Sequence, residues 1–280
     1  MLVDLHCHSD RSDGTDSVRS LVTKACEKGI KILSITDHDT VTAQSDARII
    51  AESKGMTYVN GVEISCDHNE TLDILGYGYD LNLDYLERTL SRLRDMRDDR
   101  NDQIMRKLRE IGISLEEREL EENFPGESLG RPHIASLLTK KGYVSSIEEA
   151  FRLYIGKGAA AYVEKKKLEI GQSIELIISG GGIPVLAHPM SLKLDLDELK
   201  EMICKLKTLG LEGIEAFYKE YDRDLKMQLF AVAREMDLIP TGGSDYHGEH
   251  KAHLDLGIEL SDELALNFLE RLNRRRRPSK

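Results

Sequence analysis

Seven residues of metal-binding type stand at one kind of place in this sequence, at or near the downstream end of a short apolar run. They are His6 and His8 in the run that opens Leu2-Val3, His38 after Ile30 to Ile35, Glu63 within Tyr58 to Ile64, His188 after Ile183 to Ala187, and Asp245 and His247 beyond Leu238-Ile239-Pro240. The runs have the length and β-branched content of strands. Stretches between them carry helical periodicity, as in Val18, Leu21, Val22 and Ala25 within 17–28, and again over 42–53, 169–179, 197–209 and 223–236. Strands alternating with helices indicate a parallel α/β construction. In such folds the strand C-termini converge on one mouth, where ligands bind. Residues far apart in sequence are thereby expected to meet, and mixed imidazole and carboxylate donors suit divalent transition metals.

The first of these sites is His6-Cys7-His8. If 2–8 is a strand, alternate side chains share a face, so His6 and His8 stand ~6–7 Å apart on one side. Cys7 then points into the core. Asp13, just beyond, adds a hard carboxylate. Taken alone, the pair suits the polar edge of an ordinary first strand equally well, and only its recurrence at the other strand ends favours a metal site.

After Asp80 the alternation stops. Residues 83–111 form one long helical pattern with Leu86, Leu90, Leu93, Ile104, Met105 and Leu108 as its apolar line, and further helical stretches follow over 115–122, 132–141 and 147–154. Residues 84–160 therefore read as an all-helical insertion, leaving 1–83 and 161–280 to the α/β domain. The charge run Arg92 to Asp102 reads as a solvated helix face, and Arg274 to Arg277 as a solvated end.

The 280 residues are 40% hydrophobic and 32% charged, which suits a globular chain with a sizeable core. A net charge of −11 disfavours non-specific attraction to a nucleic-acid backbone, although bound cations would reverse the sign locally. There is no bilayer-length apolar run, the first residues show no basic region followed by an apolar stretch, and the four cysteines show no paired spacing, so a cytosolic location is expected. No phosphate-binding glycine loop with its lysine is present, Gly180-Gly181-Gly182 reads as a turn, and no nucleophile elbow suggests covalent catalysis.

His6-x-His8, Asp13, Thr36-Asp37-His38, Glu63, Ala187-His188-Pro189 and Ser244-Asp245-x-His247 resemble, in order, the motifs of the PHP (polymerase and histidinol phosphatase) metallophosphoesterases. The resemblance covers 1–80 and 165–257 and implies a distorted seven-stranded (β/α) barrel with up to three divalent ions, Mn, Fe or Zn, at its mouth. It implies that His6, His8, Glu63 and Asp245 hold one ion, and Asp13, His38 and His247 another. Glu63 then bridges to a third, completed by His188 and one more ligand. Where the family most often has a histidine ahead of Ile74-Leu75-Gly76-Tyr77, this chain has Asp73, a harder donor. His68, in the preceding loop, is the competing candidate and otherwise a surface histidine.

Gly130-Arg131-Pro132-His133 in the insertion resembles the branch acting on nucleoside phosphates and short oligonucleotides. That implies Arg131 as a bidentate phosphate ligand and His133 as a phosphate contact or proton donor; read plainly, Arg131-Pro132 starts a helix. The expected activity is metal-dependent hydrolysis of small nucleotides, such as nucleoside monophosphates or 3′,5′-bisphosphates, or trimming of 5′ nucleotides from short single strands. The expected nucleophile is metal-activated hydroxide. The alternatives are a histidinol-phosphate phosphatase and a non-catalytic structural module. No membrane and no specific duplex DNA partner is expected.

Overall fold

In the computed structural model the described residues are 1–81, 84–124, 129–164 and 166–275. The chain is a mixed α/β protein. It runs β1 (Leu2–Asp4), α1 (Val18–Glu27), β2 (Ile32–Leu33), α2 (Gln44–Ser53), β3 (Thr57–Tyr58), β4 (Gly61–Ser65) and β5 (Asp73–Tyr77). There follow α3 (Asp84–Glu110), α4 (Glu117–Asn123), α5 (Arg131–Lys140) and α6 (Ile147–Ala150), the last continued by a π-helical turn, Phe151–Ile155. The alternation resumes with α7 (Ile170–Ser179), β6 (Ile183–Leu186), α8 (Leu196–Thr208), β7 (Gly213–Glu215), α9 (Arg223–Glu235), β8 (Ile239–Thr241), β9 (Ile258–Glu259) and α10 (Asp262–Arg275).

The strands form two sheets, ordered β3-β2-β1-β9 and β4-β5-β6-β7-β8. The sequence pattern predicts a parallel construction throughout, and the pairing differs from it. β5 runs antiparallel to both β4 and β6, and β9 antiparallel to β1. The reversal of β5 has a consequence for the mouth. Its first residue, Asp73, lies opposite Ser65 at the end of β4, and its carbonyl accepts the N–H of Ala187 just past β6 (3.1 Å). A strand start thus joins the strand ends.

The expected single strand over 58–64 is also two strands in different sheets. Asn60 marks the switch: its amide donates to the Tyr79 carbonyl (3.1 Å) and its side-chain oxygen takes a bond from Arg48. Glu63 consequently sits in the middle of β4 instead of at a strand end, and an isolated bridge to His38 ties the two sheets beside it. The first strand stops at Asp4. Beyond it the chain is held by a bridge from Cys7 to Tyr246 and by the His8 N–H donating to the Tyr246 carbonyl (2.9 Å).

Two compact units emerge, Met1–Arg88 with Lys167–Lys280, and Thr89–Lys166. In the first, Val3, Leu5, Leu75, Tyr77, Val185 and Phe268 form one core between the sheets and α10, and Leu21, Val22, Leu33, Ile35 and Ala47 pack α1 and α2 on β2. Cys7 is fully buried there, as expected from its place between the two histidines. In the helical unit Ile104, Leu108, Leu120, Ile134, Leu138 and Ile155 form a separate core. Arg274 and Arg275 close α10, so the basic segment is helical at its start; Arg276 and Arg277, like Leu83 at the expected start of the long helix, lie outside the described residues. Among the described residues no helix is long and apolar enough to cross a membrane.

One close approach holds the mouth together. A Cβ on Gly243 would stand 2.4 Å from the His6 Cβ and 2.5 Å from its backbone nitrogen, far inside van der Waals contact. Gly243→Ala is therefore expected to cost about 1–3 kcal/mol of stability by overpacking and to weaken metal binding by displacing His6. Thermal unfolding and metal content check this; an unchanged Tm would mean the two segments separate freely.

Candidate metal centre

The elements just described carry nine sequence-predicted residues to one place in the α/β unit. Three overlapping groups, each with donor atoms within 4.8 Å of one another, are His8-Asp13-His38-His247, His6-His8-Glu63 and Glu63-Asp73-His188. Glu63 is the hub. Its Oε2 lies 3.2 Å from His6 Nε2, 3.1 Å from His8 Nε2 and 3.4 Å from His38 Nε2, while Oε1 lies 2.9 Å from His188 Nε2. Asp73 Oδ2 is 3.6 Å from His188 Nε2. Asp245 Oδ1 approaches His8 Nε2 (3.3 Å), His247 Nδ1 (3.4 Å) and His6 Nε2 (3.6 Å), and Asp13 Oδ1 approaches His247 Nε2 (3.3 Å) and His8 Nδ1 (3.5 Å). The His8 ring lies nearer to His247 (4.1 Å between centroids) and His38 (4.9 Å) than to His6 (5.3 Å). His68 stands outside all three groups, its Nδ1 accepting the Glu70 N–H at 3.2 Å.

Such a cluster fits divalent ions. His6 Nε2 and both ring nitrogens of His8 are buried, yet none makes a properly directed hydrogen bond despite the neighbouring oxygens. Buried polar atoms are normally satisfied, and a cation between imidazole and carboxylate satisfies all of them at once. Charge says the same. Burial pulls the His8 imidazole pKa down, but Asp245, Glu63 and Asp13 push it up to about 10. Burial likewise lowers the His188 pKa, and Glu63 with Asp73 raises it to about 9. Burial opposes ionisation of Glu63 and Asp245, and the imidazoles around them hold both well below the usual carboxylate range. In the metal-free protein protons therefore take the place of cations. They must leave before an ion binds, so ion uptake strengthens as pH rises.

Around this centre the chain spends strain and hydrogen bonds on orientation. His188 (φ 22°) and Asp245 (φ 53°) both occupy the left-handed region that non-glycine residues avoid, a condition that clusters at functional sites. Asp37 takes bonds from the Ser9 N–H (2.7 Å), Ser9 Oγ (2.7 Å) and Ser12 Oγ (2.7 Å), fixing the loop that carries Asp13. Buried Asp4 does the same for the other side, accepting from the Ser244 N–H (3.0 Å), Ser244 Oγ (2.6 Å) and the Gly257 N–H (2.7 Å). Tyr218 donates to Asp245 Oδ2 (2.8 Å), which also meets the Lys251 ammonium.

Glu215 is a buried carboxylate beside the centre that the sequence reading misses. Fully buried at the end of β7, it stands 3.0 Å from His6 Nδ1 and accepts the His188 N–H at 2.8 Å. The signal was available, since Glu215 is a carboxylate at the downstream end of a strand like the other candidates. It holds His6 with Nε2 turned to the centre, the arrangement that orients metal-bound histidines. Glu215→Gln is expected to weaken metal binding roughly 10- to 100-fold, read by titration of metal into chelated protein. Affinity equal to wild type would show that His6 needs no such support.

The two candidates from the insertion lie at the start of α5 in the helical unit. Arg131 stacks its guanidinium over Phe151, 5.4 Å from the ring centroid, and Nη1 donates to the Ile155 carbonyl at 3.4 Å. His133 is fully buried, with Nδ1 accepting the Gly130 N–H at 3.0 Å and its ring edge-on to Phe124 (4.8 Å). With Nδ1 an acceptor, the proton of a neutral imidazole is on Nε2. Pro132 occupies the first turn, as the helix-start reading predicts.

The PHP domain family matches residues 4–171. The chain belongs to the PHP family. Among its relatives, a 5′-3′ exoribonuclease of Haemophilus influenzae is 33% identical over 87% of this chain and 89% of its own. A 3′,5′-nucleoside bisphosphate phosphatase of Chromobacterium violaceum is 28% identical over 91% of this chain and 90% of its own. A solved structure, described as an amidohydrolase of Chromobacterium violaceum with bound sulfate and no metal, superposes with a TM-score of 0.84 at 26% identity, covering 99% of this chain and 98% of that one.

Proposed function

We propose that the protein is a metal-dependent phosphoesterase that hydrolyses phosphate esters of small nucleotides or removes 5′ nucleotides from short single strands. The observation that carries this is the Glu63 hub, one buried carboxylate reached by four imidazoles within 2.9–3.4 Å. The activities named for the exoribonuclease and bisphosphatase relatives support it, because both cleave phosphate esters of nucleotides. His6, His8, Glu63 and Asp245 would hold one ion, Asp13, His38 and His247 a second, and Glu63, His188 and Asp73 a third, each Mn, Fe or Zn. When bound, such ions supply hydroxide near neutral pH and neutralise phosphate charge during in-line attack.

The residues do the rest. Glu215 fixes the His6 tautomer, Glu63 draws the groups together, and Tyr218 and Lys251 hold Asp245 in place. Arg131 binds substrate phosphate and His133, through Nε2, contacts or protonates the leaving oxygen. We also propose that 1–83 and 161–280 close as the family's seven-stranded barrel, with 84–160 a domain that limits substrate size, and that the enzyme works in the cytosol. Its four free cysteines support that location.

A substrate screen on Mn-loaded protein tests the reading, using nucleoside monophosphates, 3′,5′-bisphosphates, 5′-phosphorylated di- to pentanucleotides and histidinol phosphate. Phosphate or 5′-mononucleotide release from the nucleotide set is the expected result. Hydrolysis of histidinol phosphate alone, or of nothing, would overturn it.

A further inference from the structure

At the end of the sheets away from the metal centre, the α/β unit holds a cavity of about 430 Å³. Strand pairing fixes its place. β4 and β5 run antiparallel, with Asp73 opposite Ser65 at one end and Tyr77 opposite Gly61 at the other. Asp73 belongs to the centre, whereas the cavity lies past Tyr77, among Asn60, Gly78 to Asp80 and the Gly180-Gly181 turn ahead of β6. The length of β5 puts ~13 Å between the two, and no proposed metal ligand lines the cavity.

Its walls are tied to one another. The Gly78 N–H donates to the Asn60 carbonyl (2.9 Å) and the Asp80 N–H to the Gly180 carbonyl (2.9 Å). At Gly181 (φ 73°) a Cβ would meet nothing within 4 Å, so the space beside this turn is open. A largely preformed hollow of this size suits a small ligand.

Two arginines and one carboxylate give the cavity its chemistry. Arg48, half-buried on α2, donates through Nη2 to Asn60 Oδ1, and its Nε is buried without a partner. Among the described residues no carboxylate pairs with it. A partly desolvated cation bonded only to a neutral amide favours an anion in the adjoining space. Arg275, at the end of α10, lines the same cavity but is already paired with Glu212. Asp80 adds a carboxylate, which a bare oxyanion would meet unfavourably. A ligand carrying hydroxyl groups beside its oxyanion suits both, since a guanidinium grips phosphate and a carboxylate accepts from hydroxyls.

We propose that this cavity is a second binding site, separate from the metal centre, for a phosphate monoester of a polyhydroxyl compound, a sugar phosphate or a mononucleotide. Arg48 holds the phosphate and Asp80 accepts from the hydroxyls. This site is independent of the phosphoesterase reading, because no residue of the metal centre takes part in it.

The test uses the metal-free full chain, with calorimetric titration of ribose 5-phosphate, AMP and inorganic phosphate into wild type, Arg48→Gln, Arg48→Lys, Asp80→Asn and Asp245→Asn. Wild type is expected to bind at least one of the two esters, and the tighter of them names the source of the phosphate. Arg48→Gln is expected to bind that ester roughly 10- to 100-fold more weakly, in line with the loss of a charge-assisted bond. Arg48→Lys, which keeps the charge but loses the fork, is expected to fall between and stands in should Arg48→Gln not fold. Asp80→Asn is expected to weaken the ester but not inorganic phosphate, and Asp245→Asn to change neither. Binding that is lost in Asp245→Asn and kept in both Arg48 variants would put the ligand in the metal centre and overturn the site, as would no binding of either ester. Wild-type crystals soaked in selenate, a tetrahedral stand-in for phosphate, give the location without any substitution. An anomalous selenium peak against the Arg48 guanidinium is expected, and peaks confined to the metal centre would contradict it.

Discussion

Asp245→Asn is expected to lower kcat by about 10³-fold or more while leaving the fold intact. Asp245 Oδ1 reaches toward three imidazoles of the centre, and in the proposed arrangement it helps hold the ion that supplies the nucleophile. Losing such a ligand removes a contribution of several kcal/mol to the transition state, and 10³-fold corresponds to about 4 kcal/mol. The substitution should be silent structurally. Position 245 has φ 53°, a conformation asparagine tolerates at least as well as aspartate, and its N–H keeps its bond to the His6 carbonyl (2.7 Å). His8→Ala is expected to behave alike. Turnover at saturating metal, with Tm as the control, checks both; wild-type turnover at full loading would remove that residue from the site.

The second large effect is expected in the insertion. His133→Ala should lower kcat by roughly 10²–10⁴-fold if His133 assists proton transfer, whereas Arg131→Ala should chiefly raise KM, by roughly 10- to 150-fold for one charge-assisted bond. The Gly130 N–H now capped by His133 would be left without its acceptor, which costs about 1 kcal/mol of helix stability. A modest fall in Tm is therefore expected alongside the kinetic loss and does not explain it. Metal content should stay normal in both variants. Loss of a metal from His133→Ala would make this histidine a ligand, and kinetics equal to wild type in both would reduce Arg131-Pro132 to a helix start.

The ligand set was legible because placement repeats. A donor at the end of an apolar run recurs at His6, His38, His188 and Asp245, and no local packing rule requires that. Asp73 enters only through the resemblance, which puts a ligand ahead of Ile74-Leu75-Gly76-Tyr77, and why it reaches the mouth is not legible, since strand direction leaves no trace in a five-residue apolar run. Only the pairing of β5 with β4 and β6 turns its first residue toward the strand ends. The division of 58–64 between two sheets was hidden for a related reason. Val59 and Val62 both suit a strand, and the bend depends on long-range bonds of Asn60 to Arg48 and Tyr79. Glu215 escaped because its role depends on what surrounds it, a histidine from the segment that follows β1.

The central claim is that the cluster around Glu63 binds metal for phosphoester hydrolysis, and anomalous diffraction from crystals of the metal-loaded protein tests it most directly. Data collected on both sides of the Mn, Fe and Zn absorption edges are expected to show two or three peaks among His6, His8, Asp13, His38, Glu63, Asp73, His188, Asp245 and His247, with matching stoichiometry by elemental analysis. An absence of anomalous density within coordination distance of Glu63, in protein that still releases phosphate from nucleotides, would contradict the account.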